Sequence, residues 1–254
     1  MSEALYAQAL RNMEDTMHLL AERVSPPQRV PYRDGFVFRY LEKTAHQALV
    51  QKLARYLSTL RAAQILLTVG YYQEQATLQR ALDEIHEDVS FLAMGIVFRD
   101  ETESHKAYLD AFFAEEFDAI DAMSSKQRRP MIPRQKIRAY IAKCGGHADP
   151  SAGAEAARTV SKTYSGYVHS ASPQIMDMYG GDPPRFHVSG MRGTPLADEH
   201  RNDLWNYYYR GILTFAFAAK AFADDELSTR ITNFAQEFSD SAGRNYASYI
   251  RGEA

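Results

Sequence analysis

The chain is poor in cysteine: among its 254 residues only Cys144 is present. No intramolecular disulfide can form, which points to a reducing compartment. Long apolar runs are also missing. The most apolar late stretch, Gly211 to Ala219, lies between Arg210 and Lys220. It falls far short of the roughly 18 apolar residues that suggest a bilayer span. The opening MSEALYAQALRNMEDTMHLL is charged and amphipathic and lacks the apolar centre of a signal peptide. Strong net charge is absent too. A formal charge of −3 draws the protein to neither nucleic acid nor an acidic membrane as a whole, leaving only local patches. Together these absences lead to the expectation of a cytoplasmic protein with no membrane partner. Dinucleotide, P-loop, nucleophile-elbow and His-Glu-x-x-His motifs do not occur, so no cofactor and no metal are expected.

What is present is apolar recurrence near 3.6 residues. The spacing predicts a first helix from about Glu3 to Val24, ending before Pro26-Pro27. A loop, SPPQRVPYRDG, follows. Leu41, Ala45, Leu49, Leu53, Tyr56, Leu60 and Ala63 predict a long helix from Phe36 to Val69. Leu78, Leu82, Ile85, Val89, Leu92 and Ile96 mark the next, and Tyr108, Ala111, Phe112 and Phe117 a fourth. Pro133 suits the first turn of a helix ending near Cys144, and Asp149 or Ser151 is a candidate cap for one from Ala152 to Ser170. Two further helices run from about Leu204 to Phe222 and from Asp225 to Tyr249. Only FVFRY and RFHVSG look like strands. The expected class is all-α, a bundle of seven or eight helices in one domain over 1–254, with a weak subdivision near 124–133.

From Ser172 to about Leu196 the helical period fails. Structureless connections of that length are uncommon in compact domains and tend to be functional. Ile175, Met176, Met178, Tyr179, Phe186, Val188 and Met191 give it apolar anchors, so an ordered loop over one end of the bundle is expected. Arg185, His187 and Arg192 could gather an anion, and Asp177 could orient an imidazole. A turn is expected at Asp177–Gly181. His169, near the end of the preceding helix, is the candidate for proton transfer.

TYSGYVHSASPQIMDMYGG followed by PPRFHVSGM resembles a segment of uncharacterised bacterial helical proteins related to the HEPN superfamily. The pattern of Tyr164, Ser165, Val168 and His169 carries the likeness, and RALDEIHEDVSFL resembles the acidic helix packed opposite. The resemblance implies a helical bundle, a homodimer, and binding of RNA, a nucleotide or a partner protein. Many HEPN domains are metal-independent ribonucleases with an arginine four to six residues before the histidine. Here the basic residues before His169 are Lys162, seven back, and Arg158, eleven back. Lys162 shares a face with His169, but lysine lacks the planar fork that grips a phosphate. The family's ribonuclease signature is therefore incomplete. The expectation is an anionic ligand, nucleotide or RNA held in a pocket under the 170–196 loop. Its contacts would be Tyr164, Asp177, Arg185, His187 and Arg192, with His169, Arg158 and Lys162 for any ribonuclease step. The alternative is a non-enzymatic homo-oligomeric interaction module, built on the aromatics of the late helices, Trp205 to Phe222.

Three other groupings stand out. Asp15-x-x-His18 and Asp83-x-x-His86 echo the carboxylate–histidine spacing of di-iron bundles. His86 and Glu87 flank the apolar stripe of their helix, so a solvated or boundary position is expected for them. Lys126, Arg128, Arg129, Arg134, Lys136 and Arg138 form a basic stretch, expected to be a solvated loop balancing Glu115 to Asp121. Cys144 and His147 supply too few ligands for a structural zinc site.

Overall fold

The period near 3.6 becomes helix over most of the chain, and among the described residues eight helices of eleven residues or more form a mostly helical bundle. The computed structural model describes residues 3–115, 123–126, 131–145 and 150–244. In chain order come α1 (Glu3–Ala21), the hairpin β1 (Gln28–Tyr32) and β2 (Gly35–Arg39), α2 (Ala45–Val69), α3 (Tyr72–Val97) and α4 (Glu103–Phe113). Then follow α5 (Arg134–Cys144), α6 (Pro150–Thr163), the short α7 (Ser165–Val168) and α8 (Ser172–Met176), β3 (Tyr179–Gly180) and β4 (Arg185–Phe186). The long α9 (Leu196–Ala221) and α10 (Asp225–Asp240) close the described chain.

Three long helices, α2, α3 and α9, pack on one another around the centre. Helix α1 lies against α2 and α9, α10 against α9, and α5 and α7 against α3. The core holds Leu49, Leu53 and Tyr56 from α2, Leu82, Val89 and Phe91 from α3, and Tyr208 and Phe215 from α9. Helix α2 starts at a capping box between Thr44 and Gln47. It ends at Gly70, whose φ of 87° is the left-handed conformation that closes helices cheaply. Only Gly70 and Tyr71 separate α2 from α3, which makes the pair antiparallel.

Two expectations fail locally. The helix expected from Phe36 begins at Ala45 instead. The residues before it form a hairpin, in which the Arg33-Asp34 turn joins Tyr32 to Gly35. Asp-Gly after a strand-like run is a hairpin signal, and the alternation Phe36-Val37-Phe38 has the period of a strand. The turn expected at Asp177–Gly181 lies earlier, at α8, and Tyr179–Gly180 pairs with Arg185–Phe186. The Asp149 cap and the helix positions expected after Arg244 lie outside the described residues.

The close packing of α2 on α9 depends on one glycine. A Cβ at Gly211 would stand 2.7 Å from Cε1 of Tyr56. That ring is fully buried, and its hydroxyl donates to the Tyr207 carbonyl at 2.8 Å, so it cannot swing away. Gly211→Ala gains up to about 1 kcal/mol of helix propensity but overpacks the core at a cost of about 1–3 kcal/mol. Net destabilisation is expected in urea unfolding. An unchanged midpoint would show that Tyr56 repacks freely.

Candidate functional site

The 170–196 loop is strapped over the α2–α3 turn. The Met191 amide donates to the Gly70 carbonyl at 2.8 Å, and Arg192 Nε donates to the Thr68 carbonyl at 2.8 Å. Gly190, at φ 107°, allows the approach: a Cβ there would lie 2.9 Å from the Val69 carbonyl oxygen. Arg192 thus caps the C-terminal end of α2, where a cation meets the negative end of the helix dipole. The His187 amide donates to the Met178 carbonyl at 2.8 Å, and its ring faces Gly181. Arg185 is exposed on β4, and His169 is exposed at the end of α7. Arg158 and Lys162 are exposed on α6, where Arg158 Nε donates to Glu155 at 2.7 Å.

Tyr164 goes inward. It is buried at the start of α7, edge-on to Tyr207 with ring centroids 5.8 Å apart. Burial, reinforced by Asp203, pushes its phenol well above the ordinary range. Tyr167 lies beside it, 6.0 Å from the ring of His200, and burial with Asp177 nearby raises its phenol to about 12. Among the expected site residues, then, Tyr164 and Asp177 share one neighbourhood, with Tyr167 and His200 between them.

Beneath Tyr164 runs a buried polar stripe that the hydrophobic pattern of α3 does not show. Gln75, Gln79, Asp83, Glu87 and Ser90 recur at three and four and are all buried. This corrects the boundary position expected for Glu87. The carboxylates survive burial because long-range cations reach them. Arg210 of α9 donates to Asp83 at 2.5 Å, and Arg138 of α5 donates to Glu87 at 2.7 Å. Lys52 and Arg134 converge on Asp88 at 2.6 and 2.5 Å. Burial raises the Asp83 and Glu87 carboxyls above their usual range, with Arg210 and Arg138 opposing the rise. Asp83 Oδ2 and the Tyr207 hydroxyl are both buried and lie close to each other. Arg134 and Arg138, expected in a solvated basic loop, turn inward onto α3, while 127–130 lie outside the described residues.

The half-buried His86 and the buried His105 are fixed by their partners. Thr214 spends its only hydrogen on the Arg210 carbonyl at 2.7 Å, so it accepts from His86 Nδ1 at 2.7 Å. Burial, with Arg210 adding to it, lowers His86 from 6.5 to about 3. His105 accepts the Thr102 amide on Nδ1 and therefore donates from Nε2 to the Phe91 carbonyl at 3.0 Å. No group of three or more His, Cys, Asp or Glu side chains is placed to hold a metal among the described residues.

The second exposed feature is the β1–β2 hairpin. Its inner face carries the half-buried Val30 and Val37. On the outer face the register sets Arg29 opposite Phe38 and Pro31 opposite Phe36. Phe36 and Phe38 are 48% and 56% exposed, and Tyr32 at the turn is 49% exposed. The two phenyl rings meet edge to face at 5.5 Å, with the Arg29 guanidinium 4.5 Å above Phe36 and 6.0 Å from Phe38. Arg33 lies 5.3 Å over Tyr32. Arg39 anchors the base of the hairpin to Glu115 at 2.5 and 2.9 Å. Sequence patterning missed these residues, although the alternating Phe-Val-Phe run and the Arg33-Asp34-Gly35 stretch before it were the available signals.

The late-helix aromatics are spent inside the chain: Trp205, Tyr207, Tyr208 and Phe215 are buried, and Phe217 alone of the aromatics between Trp205 and Phe222 is exposed. No helix among the described residues is long and apolar enough to cross a membrane. The chain matches no family model, no curated protein and no solved structure.

Proposed function

We propose that this protein binds single-stranded RNA and that the outer face of the β1–β2 hairpin is its principal contact surface. The observation that supports this reading is the guanidinium of Arg29 set over two exposed rings of that face, Phe36 and Phe38, with Arg33 over Tyr32 continuing the pattern around the turn. Surfaces that hold single strands combine aromatic faces, on which bases stack, with cations that meet the backbone. A two-stranded hairpin has little stability of its own, and the contacts with each other and with Arg29 still leave both phenylalanines about half exposed. Their exposure fits a surface kept for a ligand.

Arg185 and His187 on the strapped loop are further backbone contacts in this proposal. Any cleavage of the bound strand is assigned to His169, with Arg158 or Lys162 as phosphate partner. Cleavage that survives His169→Ala removes that assignment. Arg192 has the structural role of capping α2, and Tyr164 lies too deep to touch a strand without rearrangement.

Fluorescence anisotropy with a labelled uridine oligonucleotide tests the main claim. Stacking contributes about 1–3 kcal/mol per base, so Phe36→Ala/Phe38→Ala is expected to weaken binding by roughly ten-fold or more. Binding that is equally tight in the double variant sinks the reading. Loss of a dimer in light scattering, with no RNA bound by the parent, would assign the face to a second copy of the chain.

A further inference from the structure

We propose a second site, independent of the hairpin: the cavity between α5 and α6 binds a small phosphate-bearing molecule. The cavity has a volume of about 440 Å³, within the range of small-molecule sites. It is far larger than a lone phosphate needs and suits a phosphate ester of mononucleotide size. Gln135, Arg138 and Ala139 of α5 form one wall, and Ser151, Glu155 and Arg158 of α6 form most of the other.

Arg138 is the residue that calls for a ligand. It is only 8% exposed, and its Nε is bound to Glu87 at 2.7 Å. Among the described residues its Nη2, like Oε2 of Glu87, has no hydrogen-bond partner. Arg138 lines the cavity, and a phosphate settling beside it would draw on a guanidinium that Glu87 holds through Nε alone. The charges around it also leave a surplus. Among the described residues Lys52, Arg80, Arg134 and Arg138 are set against Glu84, Glu87 and Asp88, four cations to three carboxylates. Helix α5 carries Arg134, Lys136, Arg138 and Lys143 and no acidic residue.

The mouth is guarded by Glu155 and Arg158, whose side chains are 56% and 51% exposed and paired with each other. Such a surface pair is weak and opens readily. An entering phosphate would take Arg158 from Glu155, adding a second guanidinium to Arg138. Glu155 then opposes binding, which makes a prediction that a purely structural role would not.

Isothermal titration of the full chain with AMP, and separately with inorganic pyrophosphate, tests the site. The expected result is saturable binding at one site per chain. Arg158→Ala should weaken it by about ten-fold or more, and Glu155→Gln should tighten it. Arg138→Ala also strips Glu87 of its partner, so a failure to fold would confuse its result. Ala139→Trp fills the cavity without removing a polar group, and it should abolish binding while circular dichroism stays native. Absence of binding by the parent chain at millimolar ligand overturns the proposal, as does unchanged affinity in Ala139→Trp. Phe36→Ala/Phe38→Ala should keep this binding, so failure of the hairpin reading and failure of the cavity show separately.

Discussion

Arg210→Ala is expected to lower the unfolding free energy by about 3–5 kcal/mol, the range seen when one partner of a buried ion pair is removed. Asp83 is almost fully buried, and Arg210 is its closest cation at 2.5 Å. Without it the carboxylate must either stay charged in an apolar setting or take up a proton. The guanidinium also lies 5.5 Å over the Tyr207 ring, which would lose that contact. Replacing both partners by apolar residues of similar size removes the problem instead of exposing it. Asp83→Leu/Arg210→Met is therefore expected to recover most of the loss or to exceed the parent in stability. Urea unfolding of the two single variants and the double variant measures the coupling. A loss below about 1 kcal/mol in Arg210→Ala would put this pair in the class of surface bridges such as Arg39–Glu115, whose side chains are 42% and 56% exposed.

The second large effect is a loss of stability in mild acid. Burial lowers His86 from 6.5 to about 3, and it lowers His105 and His200 in the same direction. In the unfolded chain these rings protonate near 6.5, while in the folded chain they resist the proton. Stability is therefore full above about pH 6.5 and falls as pH drops below it. Each ring that stays neutral only when folded contributes a slope approaching about 1.4 kcal/mol per pH unit. For His86 the fall continues toward pH 3. The raised carboxyls of Asp83 and Glu87 act oppositely, binding protons more readily when folded. They offset part of the loss at lower pH, so the decline is expected to be clearest in about the first pH unit below 6.5. Urea midpoints across that window measure it. His86→Gln should flatten the curve, since glutamine can still meet the Thr214 hydroxyl and does not titrate. A midpoint independent of pH from 7 to 5 would contradict the burial of these rings.

The helical frame was readable because its signals are local. Gly70 and Tyr71 end one periodic run and start the next, Pro133 opens α5, and the Leu78 to Ile96 stripe marks α3. The hairpin was misread because Leu41 and Ala45 extend a helical period backwards over Phe36, and that period outweighed a two-residue turn. The polar stripe of α3 was hidden for a different reason. Glu87 meets Arg138 across 51 residues of sequence, and Asp83 meets Arg210 across 127. A carboxylate beside an apolar stripe reads as solvated until a distant cation is known to cover it. The helical period is expected to fail from Ser172, and from there to α9 the chain holds only α8 and the short β3–β4 pair, while the helix expected to Ser170 already breaks at Tyr164. The polar groups from Tyr164 onward then divide by depth: Tyr164 is buried, Arg192 holds the α2 end, and Arg185 and His169 face outward.

The RNA-binding account is tested most directly by ultraviolet crosslinking of a uridine oligonucleotide to the intact chain, with the attached peptides mapped by mass spectrometry. Aromatic rings stacked on bases crosslink where they touch. The account predicts crosslinks at Tyr32, Phe36 or Phe38, lost when unlabelled oligonucleotide competes. Crosslinks confined to residues 164–200, with none on the hairpin, would contradict it.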